Sequence, residues 1–223
     1  MGQVTLKNDT MILLMKTTNI LPFKNEVYRK SIHLLSSLIP IAYIFFNKKL
    51  IFILVLFLFL ILLIIEVSRF KKNLISLYFN KILGSVVRNY EQSSMMSATL
   101  LVLAALFSIA FFDKQVTIIS LLILSISDSL AAIFGLKYGC IKIINNKSLE
   151  GTYAFIISAL TILFLTHFYL NFNIALFTGI LSIIIVSIIE HVTPTKFDNI
   201  TIPISSCLCL ILDPKFLSFI NLL

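Results

Sequence analysis

The run LIFILVLFLFLILLII, from Leu50 to Ile65, carries no charged or polar side chain. A helix that spans a bilayer needs about 20 consecutive, mostly apolar residues, and this run with its flanks comes close to that length. Several other runs are similar, and 59% of the chain is hydrophobic whereas only 13% is charged. A soluble domain of this size could not bury so many such runs. The sequence therefore predicts an all-α, polytopic integral membrane protein built as a helical bundle.

About seven membrane-spanning helices are expected along the chain. They are predicted at about 31–46, 50–66, 95–112, 116–136, 153–170, 173–190 and 200–220. No internal repeat or linker divides the chain. Residues 29–223 are therefore expected to form a single transmembrane domain, which follows an N-terminal cytosolic or interfacial segment, residues 1–28.

An amphipathic helix is expected between the second and third spans, in FKKNLISLYFNKILGSVVR, residues 70–88. Apolar residues recur there at steps of three and four, namely Phe70, Leu74, Leu77, Tyr78, Ile82 and Val86. The opposite face is polar and carries Lys72, Asn73, Ser76, Asn80 and Arg88. This pattern is typical of a helix that lies in the membrane interface, and a soluble partner-binding helix is the alternative.

The distribution of lysine and arginine predicts the orientation of the bundle. About fourteen of the 18 basic residues fall in the N-terminal segment and in alternate connections, and about four fall in the others, namely Lys48, Lys49, Lys114 and Lys215. The positive-inside rule then places the N-terminus in the cytosol. The net charge of +8 is explained by topology and by attraction to anionic headgroups, so no nucleic-acid partner is needed.

Polar residues in or beside the spans all fall at the predicted cytosolic face. They are Arg29, Lys30, His33, Glu66, Arg69, Asp128, Lys147, Glu150, Glu190, Asp198 and Asn199. A charged side chain near the bilayer centre costs about 2.5–3.5 kcal/mol, so intramembrane carboxylates such as Asp128 and Glu190 are expected to be functional.

Carboxylates, cations and amides at a membrane face suit a phosphate-bearing substrate. Mg²⁺ binds to one or two carboxylates together with phosphate oxygens, and cations neutralise the phosphates. Glycines allow backbone to approach a phosphate closely, as Gly135, Gly139 and Gly151 could. A lipid substrate would explain why such a site lies in a membrane.

Neither the GxxxxGK[ST] loop nor the HRD and DFG motifs of protein kinases occur in the chain. The three cysteines form no CxxC and no HExxH occurs, which argues against a zinc site.

Five short motifs in one order resemble the polyprenol kinase family. They are RKSIH at 29–33, EVSR at 66–69, SDSLAAIFGLKYG at 127–139, KSLEGT at 147–152, and Glu190 followed by DNITIP at 198–203. The family includes dolichol kinase, phytol kinase and the CTP-dependent diacylglycerol kinase, and it is related to phosphatidate cytidylyltransferases. The resemblance covers residues from about 29 to 203 and implies transfer of a phosphoryl group from CTP to a membrane lipid alcohol.

The family's GDxxA, GxxxG and KxxEGS elements are associated with nucleotide binding. Here they fall on Asp128, Ala131, Gly135, Gly139, Lys147, Glu150 and Gly151. Two positions depart from the pattern, since Ser127 replaces the usual glycine and Thr152 the usual serine.

The expected enzyme is a lipid alcohol kinase that faces the cytosol and uses CTP and Mg²⁺. Asp128, with Asp198 or Glu150, is expected to hold the metal, and Lys137, Lys147 and Arg29 to neutralise the phosphoryl group. Ser127, Thr152 and Asn199 are assigned to nucleotide binding, and Lys30, Glu66, Arg69 and Glu190 complete the polar site. Either a carboxylate or His33 could activate the hydroxyl.

The sequence leaves several alternatives open. A phosphatidate cytidylyltransferase is the nearest alternative function, and a small transporter is another. The acceptor can be a prenol or diacylglycerol, because both need an apolar pocket. A prokaryotic cell membrane is favoured over the endoplasmic reticulum as the location.

Overall fold

The computed structural model describes residues 23–71, 74–84, 87, 91, 94–145 and 147–213. Within these residues the regular structure is helical, apart from one isolated bridge between Lys142 and Ser148. The helices are α1 (Phe23–Leu35), α2 (Leu38–Phe45), α3 (Lys48–Phe70), α4 (Leu74–Leu83), α5 (Ser97–Phe111), α6 (Lys114–Leu122), α7 (Asp128–Tyr138), α8 (Leu149–Tyr169), α9 (Leu176–Val192) and α10 (Asp198–Ile211), and a π-helical turn (Ile123–Ser127) joins α6 to α7. The all-α prediction is confirmed for the described residues.

Three of these segments are long and apolar enough to cross a membrane by length and composition. They are α3, the continuous segment Lys114–Tyr138 and α8. The apolar helices α5, α9 and α10 have 15, 17 and 14 residues, which is shorter than a typical span of about 20. The count of seven spans therefore stays a prediction, and the predicted end of the last span, beyond residue 213, lies outside the described residues.

The first predicted span, 31–46, is divided into α1 and α2. Pro40 explains the division, because a proline has no N–H to donate and its ring collides with the carbonyl group four residues earlier, that of Ser36. The chain instead makes tight turns, in which Ser36 N donates to His33 O and Ile39 N donates to Ser36 O, both at 3.0 Å. Helix α1 spans Phe23–Leu35 and so includes residues on both sides of the boundary expected between residues 28 and 29, which stays a prediction.

Short connections meet at one end of the bundle. Lys48 Nζ donates to Ala110 O at 3.0 Å, and Lys114 Nζ donates to Phe46 O at the same distance. Each lysine thus satisfies the last carbonyl groups of a neighbouring helix, which favour a positive charge. Asn173 N donates to Gln115 Oε1 at 2.9 Å and brings the α8–α9 connection to the same end. The longer, more polar connections lie at the opposite end.

The core surrounds α6, in which every residue from Val116 to Leu122 is buried. Helix α3, in contrast, exposes large apolar side chains along much of its length, including Phe57 and Ile64, as a lipid-facing helix does.

Helix α4 falls within the predicted amphipathic segment. It exposes Leu77, Tyr78 and Ile82 and buries Ser76, so its apolar side faces away from the protein. That direction suits a helix in the membrane interface. The predicted Lys72, Asn73, Val86 and Arg88 lie outside the described residues.

Candidate active site

Asp128 follows directly after the π-helical turn. Its N–H donates to Ile123 O, five residues back, rather than to Leu124 O, four residues back. Leu124 O contacts His33 Nε2 instead, at 3.1 Å. Because a carbonyl oxygen can only accept a hydrogen bond, Nε2 of His33 carries a proton. The π-turn thereby both directs Asp128 and orients the imidazole ring.

Helix α1 brings a cation to Asp128. Lys30 Nζ forms an ion pair with Asp128 Oδ2, and His33 Nε2 lies 3.4 Å from the same oxygen. All three side chains are buried, with Asp128 3% exposed. A buried charge needs a partner of opposite sign, and this pairing satisfies both the carboxylate and the ammonium.

A tight turn in residues 141–149 presents Lys147. Ile143 N donates to Lys147 O, and Leu149 N donates to Ile141 O, both at 3.0 Å. Asn145 has a φ of 53°, a left-handed conformation that asparagine tolerates better than most residues. Its Nδ2 donates to Val192 O at 2.7 Å and fastens the turn to the end of α9.

Lys147 joins the ends of α9 and α10. Its Nζ lies 2.9 Å from both carboxylate oxygens of Asp198 and 2.8 Å from Glu190 Oε1, and it also donates to Glu190 O. Burial lowers the pKa of Lys147, but attraction to the two carboxylates outweighs that effect and raises the pKa above its ordinary value. Lys147 is therefore charged at neutral pH.

Three buried carboxylates converge between the two lysines. One oxygen each of Asp128, Glu190 and Asp198 lies within 4.8 Å of the others. We call these residues the carboxylate trio. Three carboxylate oxygens so close together are a donor set that suits Mg²⁺, a hard cation that prefers oxygen ligands.

The trio includes Glu190 rather than Glu150, which the sequence predicted as a metal ligand. Glu150 Oε1 instead accepts hydrogen bonds from Cys140 N at 3.0 Å and Ile141 N at 3.3 Å. It therefore caps the backbone where α7 ends. Glu190, which the sequence placed only in the wider polar site, provides the third carboxylate.

The predicted glycines lie where α7 and α8 contact each other. A Cβ atom at Gly151 would be 2.8 Å from Ala131 O, and one at Gly135 would be 2.9 Å from Ser148 Oγ. A Cβ atom at Gly139 would be 2.6 Å from Ser148 Oγ. The space freed by the missing side chains is thus used for helix packing. Ser148 also caps α8, since its Oγ accepts a hydrogen bond from Gly151 N at 3.2 Å.

The other residues assigned to nucleotide binding lie in different environments. Ser127 is wholly buried and its Oγ has no hydrogen-bond partner among the described residues. Thr152 Oγ1 lies 2.8 Å from His191 Nδ1. Lys137 is exposed, with its Nζ 4.9 Å from the centre of the Tyr138 ring.

Arg29 lies beside the trio rather than in it. Its guanidinium pairs with Glu26, one turn earlier on α1, and it is also within electrostatic reach of Asp128. Glu26 was not predicted, although its spacing of three residues from Arg29 on a helix is the signal that could have revealed it.

A second polar network links α3 with α5 and α10. Glu66 Oε1 accepts from Arg69 at 2.9 Å, and its Oε2 accepts from Thr99 Oγ1 at 3.1 Å. Arg69 also donates to Glu91 O at 2.6 Å. Glu91 bonds Ser97, whose carbonyl group accepts from Asn199 Nδ2 at 2.8 Å. Glu66, Arg69 and Asn199 therefore hold helices together next to the trio.

Comparison with known proteins agrees in part with the sequence resemblance. No protein-family model and no solved structure matches the chain. The chain is 31% identical over 202 residues to an uncharacterized protein of Rickettsia prowazekii. The alignment covers 87% of this chain and 98% of that protein. The chain belongs to the same family as this rickettsial protein.

The chain is also similar, over part of its length, to a lipid kinase. It is 36% identical over 93 residues to CTP-dependent diacylglycerol kinase 1 of Saccharomyces cerevisiae. The aligned residues cover 41% of this chain and 32% of the kinase. The partial similarity supports a relationship to a lipid kinase family, and the membrane-protein character of the chain agrees with it.

Proposed function

We propose that the protein is a lipid alcohol kinase that transfers a phosphoryl group from CTP to a membrane prenol or diacylglycerol at the cytosolic face. The observation that carries the proposal is the carboxylate trio with its two lysines, which five separate segments bring together at one end of the bundle. The partial similarity to a CTP-dependent diacylglycerol kinase supports both the donor and the class of acceptor.

The reaction would form one bond and break one bond. The hydroxyl oxygen of the lipid attacks the γ-phosphorus of CTP, and the bond from that phosphorus to the bridging β–γ oxygen breaks. CDP leaves with the electron pair, and the hydroxyl proton passes to a base. Catalysis of this kind depends mainly on positioning and on neutralising charge on the phosphoryl oxygens.

The residues present fit a Mg²⁺ ion, because the carboxylate trio offers three oxygen donors and no softer ligand. Asp128, Glu190 and Asp198 would hold the ion, which would supply positive charge to neutralise the phosphates. Lys30 and Lys147 lie against the same carboxylates and would contact the phosphates from either side. Arg29, the residue directly before Lys30 on α1, lies at the edge of the site, where its guanidinium is paired with Glu26.

His33 is the base that the geometry favours. The carboxylates of the trio are already paired with lysine ammonium groups, whereas His33 is held by a carbonyl oxygen through Nε2. In the neutral imidazole, Nδ1 is then the nitrogen free to accept a proton. His33 lies in the last turn of α1, just before the break that precedes α2.

Two radiolabelled forms of CTP, which differ in the position of the labelled phosphorus, test the proposal. Purified protein in lipid–detergent micelles is given CTP labelled at either the γ- or the α-phosphorus, together with a panel of prenols or diacylglycerol. A kinase transfers label to lipid only from the γ position and releases CDP. The same assay with γ-labelled ATP measures the preference for CTP.

The outcomes separate the possible reactions. Label that reaches lipid from the α position, with release of pyrophosphate, would identify a cytidylyltransferase and refute the kinase. Absence of labelled lipid with every acceptor, from protein that elutes as a single folded species, would refute both.

A further inference from the structure

We infer that Lys30 and Lys147 act as internal cations that occupy the carboxylate trio until the nucleotide arrives, so that the divalent cation binds only together with the triphosphate. The inference rests on the proposed function, because it assigns an order of binding to the same site. It is carried by the positions of the two ammonium groups relative to the carboxylate oxygens.

The trio is nearly neutralised without a metal. Its three carboxylates face the two ammonium groups of Lys30 and Lys147, and all three are at most 5% exposed. Buried carboxylates left without a cation would be strongly unfavourable. The lysines therefore stabilise the folded protein in the absence of metal.

The oxygens that a metal ion needs are already engaged. Both oxygens of Asp198 lie 2.9 Å from Lys147 Nζ, and Glu190 Oε1 lies 2.8 Å from it. Lys30 contacts the Oδ2 atom of Asp128. A divalent cation arriving alone would have to displace these hydrogen bonds and approach two ammonium groups, which repel it.

A nucleoside triphosphate changes this balance. Its phosphate oxygens are strong acceptors for lysine, and the flexible four-carbon stem of lysine lets the ammonium move by a few ångströms. As the lysines turn to the phosphates, the carboxylates become free to hold the metal that the same phosphates bind.

The experiment measures binding of Mn²⁺ alone, without nucleotide, to the purified full chain by electron paramagnetic resonance, since free Mn²⁺ gives a signal that is lost on binding. The wild type is expected to bind Mn²⁺ weakly. Lys147→Met frees Asp198 and Glu190 and is expected to tighten Mn²⁺ binding by at least about tenfold. Adding Asp198→Asn to Lys147→Met is expected to abolish the gain.

Lys196→Met is the matched control. Lys196 is exposed, lies two residues from Asp198 and has its Nζ 4.5 Å from the centre of the Phe197 ring. It loses the same charge without freeing a carboxylate, so its Mn²⁺ affinity is expected to equal that of the wild type. If Lys147→Met does not fold, Lys30→Met tests the same point at Asp128, with an expected gain in the same direction.

Two results would overturn the inference. One is tight Mn²⁺ binding by the wild type without nucleotide, and the other is a lysine variant that binds Mn²⁺ no better than Lys196→Met. If the wild type also transfers the γ-label to lipid, either result would refute the role of Lys30 and Lys147 as internal cations, and the proposed kinase activity would still hold. Tighter binding by the variants without any lipid phosphorylation would support the internal cations and refute the kinase.

Discussion

At the scale of single residues, Asp128 lies at the centre of the site and its substitution should remove activity. Asp128→Asn keeps the size of the side chain but removes the charge that faces Lys30 and His33. We expect at least about a 100-fold loss of phosphoryl transfer with normal expression. Asp113→Asn is the matched control, because Asp113 is exposed at the opposite end of the bundle. Activity of Asp128→Asn within a fewfold of that control would remove Asp128 from the active site.

Glu190 and Glu150 give a direct comparison between two candidate metal ligands. Glu190 belongs to the trio, whereas Glu150 caps the backbone of Cys140 and Ile141. Glu190→Gln should raise the Mg²⁺ concentration needed for half-maximal activity by about tenfold or more, and Glu150→Gln should leave that concentration unchanged. Measuring activity against Mg²⁺ concentration in the two variants distinguishes them. The reverse pattern would make Glu150 the ligand.

Much of the candidate site could be predicted from the sequence, because a charge in an apolar helix is costly and therefore conspicuous. This argument selected Asp128 and Glu190, whereas Lys147 and Asp198 were selected because they fall at the same predicted face and within the motifs of the resemblance. The sequence assigned Glu150 as a possible metal ligand and Glu190 only to the wider polar site, since both lie at helix ends and only the packing of the helices places Glu190 beside Asp128 and Asp198.

At the scale of the helices, the contact of α7 with α8 depends on glycine. A methyl group at Gly151 would meet the backbone carbonyl of Ala131, which cannot move without shifting α7. A methyl group at Gly179 would meet only the side-chain end of Leu163, which can rotate. Gly151→Ala should therefore destabilise the protein by about 1–3 kcal/mol, and Gly179→Ala by less. Thermal unfolding in detergent measures both, and equal losses would contradict the close backbone contact.

Two features of the helices show what periodicity does and does not predict. Pro40 in the first predicted span marks the division into α1 and α2, because its chemistry opposes a continuous helix. The π-turn at Ile123–Ser127 has no such marker, since ILSIS would also fit an α-helix. It is visible only in the structure, where Asp128 N donates to Ile123 O and the carbonyl group of Leu124 contacts His33.

At the scale of the whole molecule, the native cysteines report the orientation. Cys140 is exposed in the connection that carries Lys147, while Cys207 is buried within α10. Cys209, which is half-buried in α10, is replaced by serine in every variant. A membrane-impermeant thiol reagent should then label Cys140 only where the cytosolic face is accessible, as in inverted vesicles. Lys49→Cys in a Cys140→Ser background should show the opposite pattern, because Lys49 is exposed at the other end of the bundle. Labelling of Cys140 from the outer face would reverse the proposed topology.

The helical architecture was the most predictable level, because long apolar runs leave no other structure in a bilayer. The gathering of polar residues at one end was also predictable, since helices that alternate in direction return their odd and even connections to opposite faces. The contacts that build the site from α1, α7, α9 and α10 were not, because they depend on how the helices rotate against each other.

The most direct test of the central claim is the position of Mn²⁺ in an experimental structure of the protein with CTP, located by anomalous scattering. The proposed kinase predicts an Mn²⁺ ion bound to oxygens of Asp128, Glu190 and Asp198 and to phosphate oxygens of CTP, with Lys30 and Lys147 on the phosphates. An ion and nucleotide bound elsewhere, with both lysines still on the carboxylates, would contradict it.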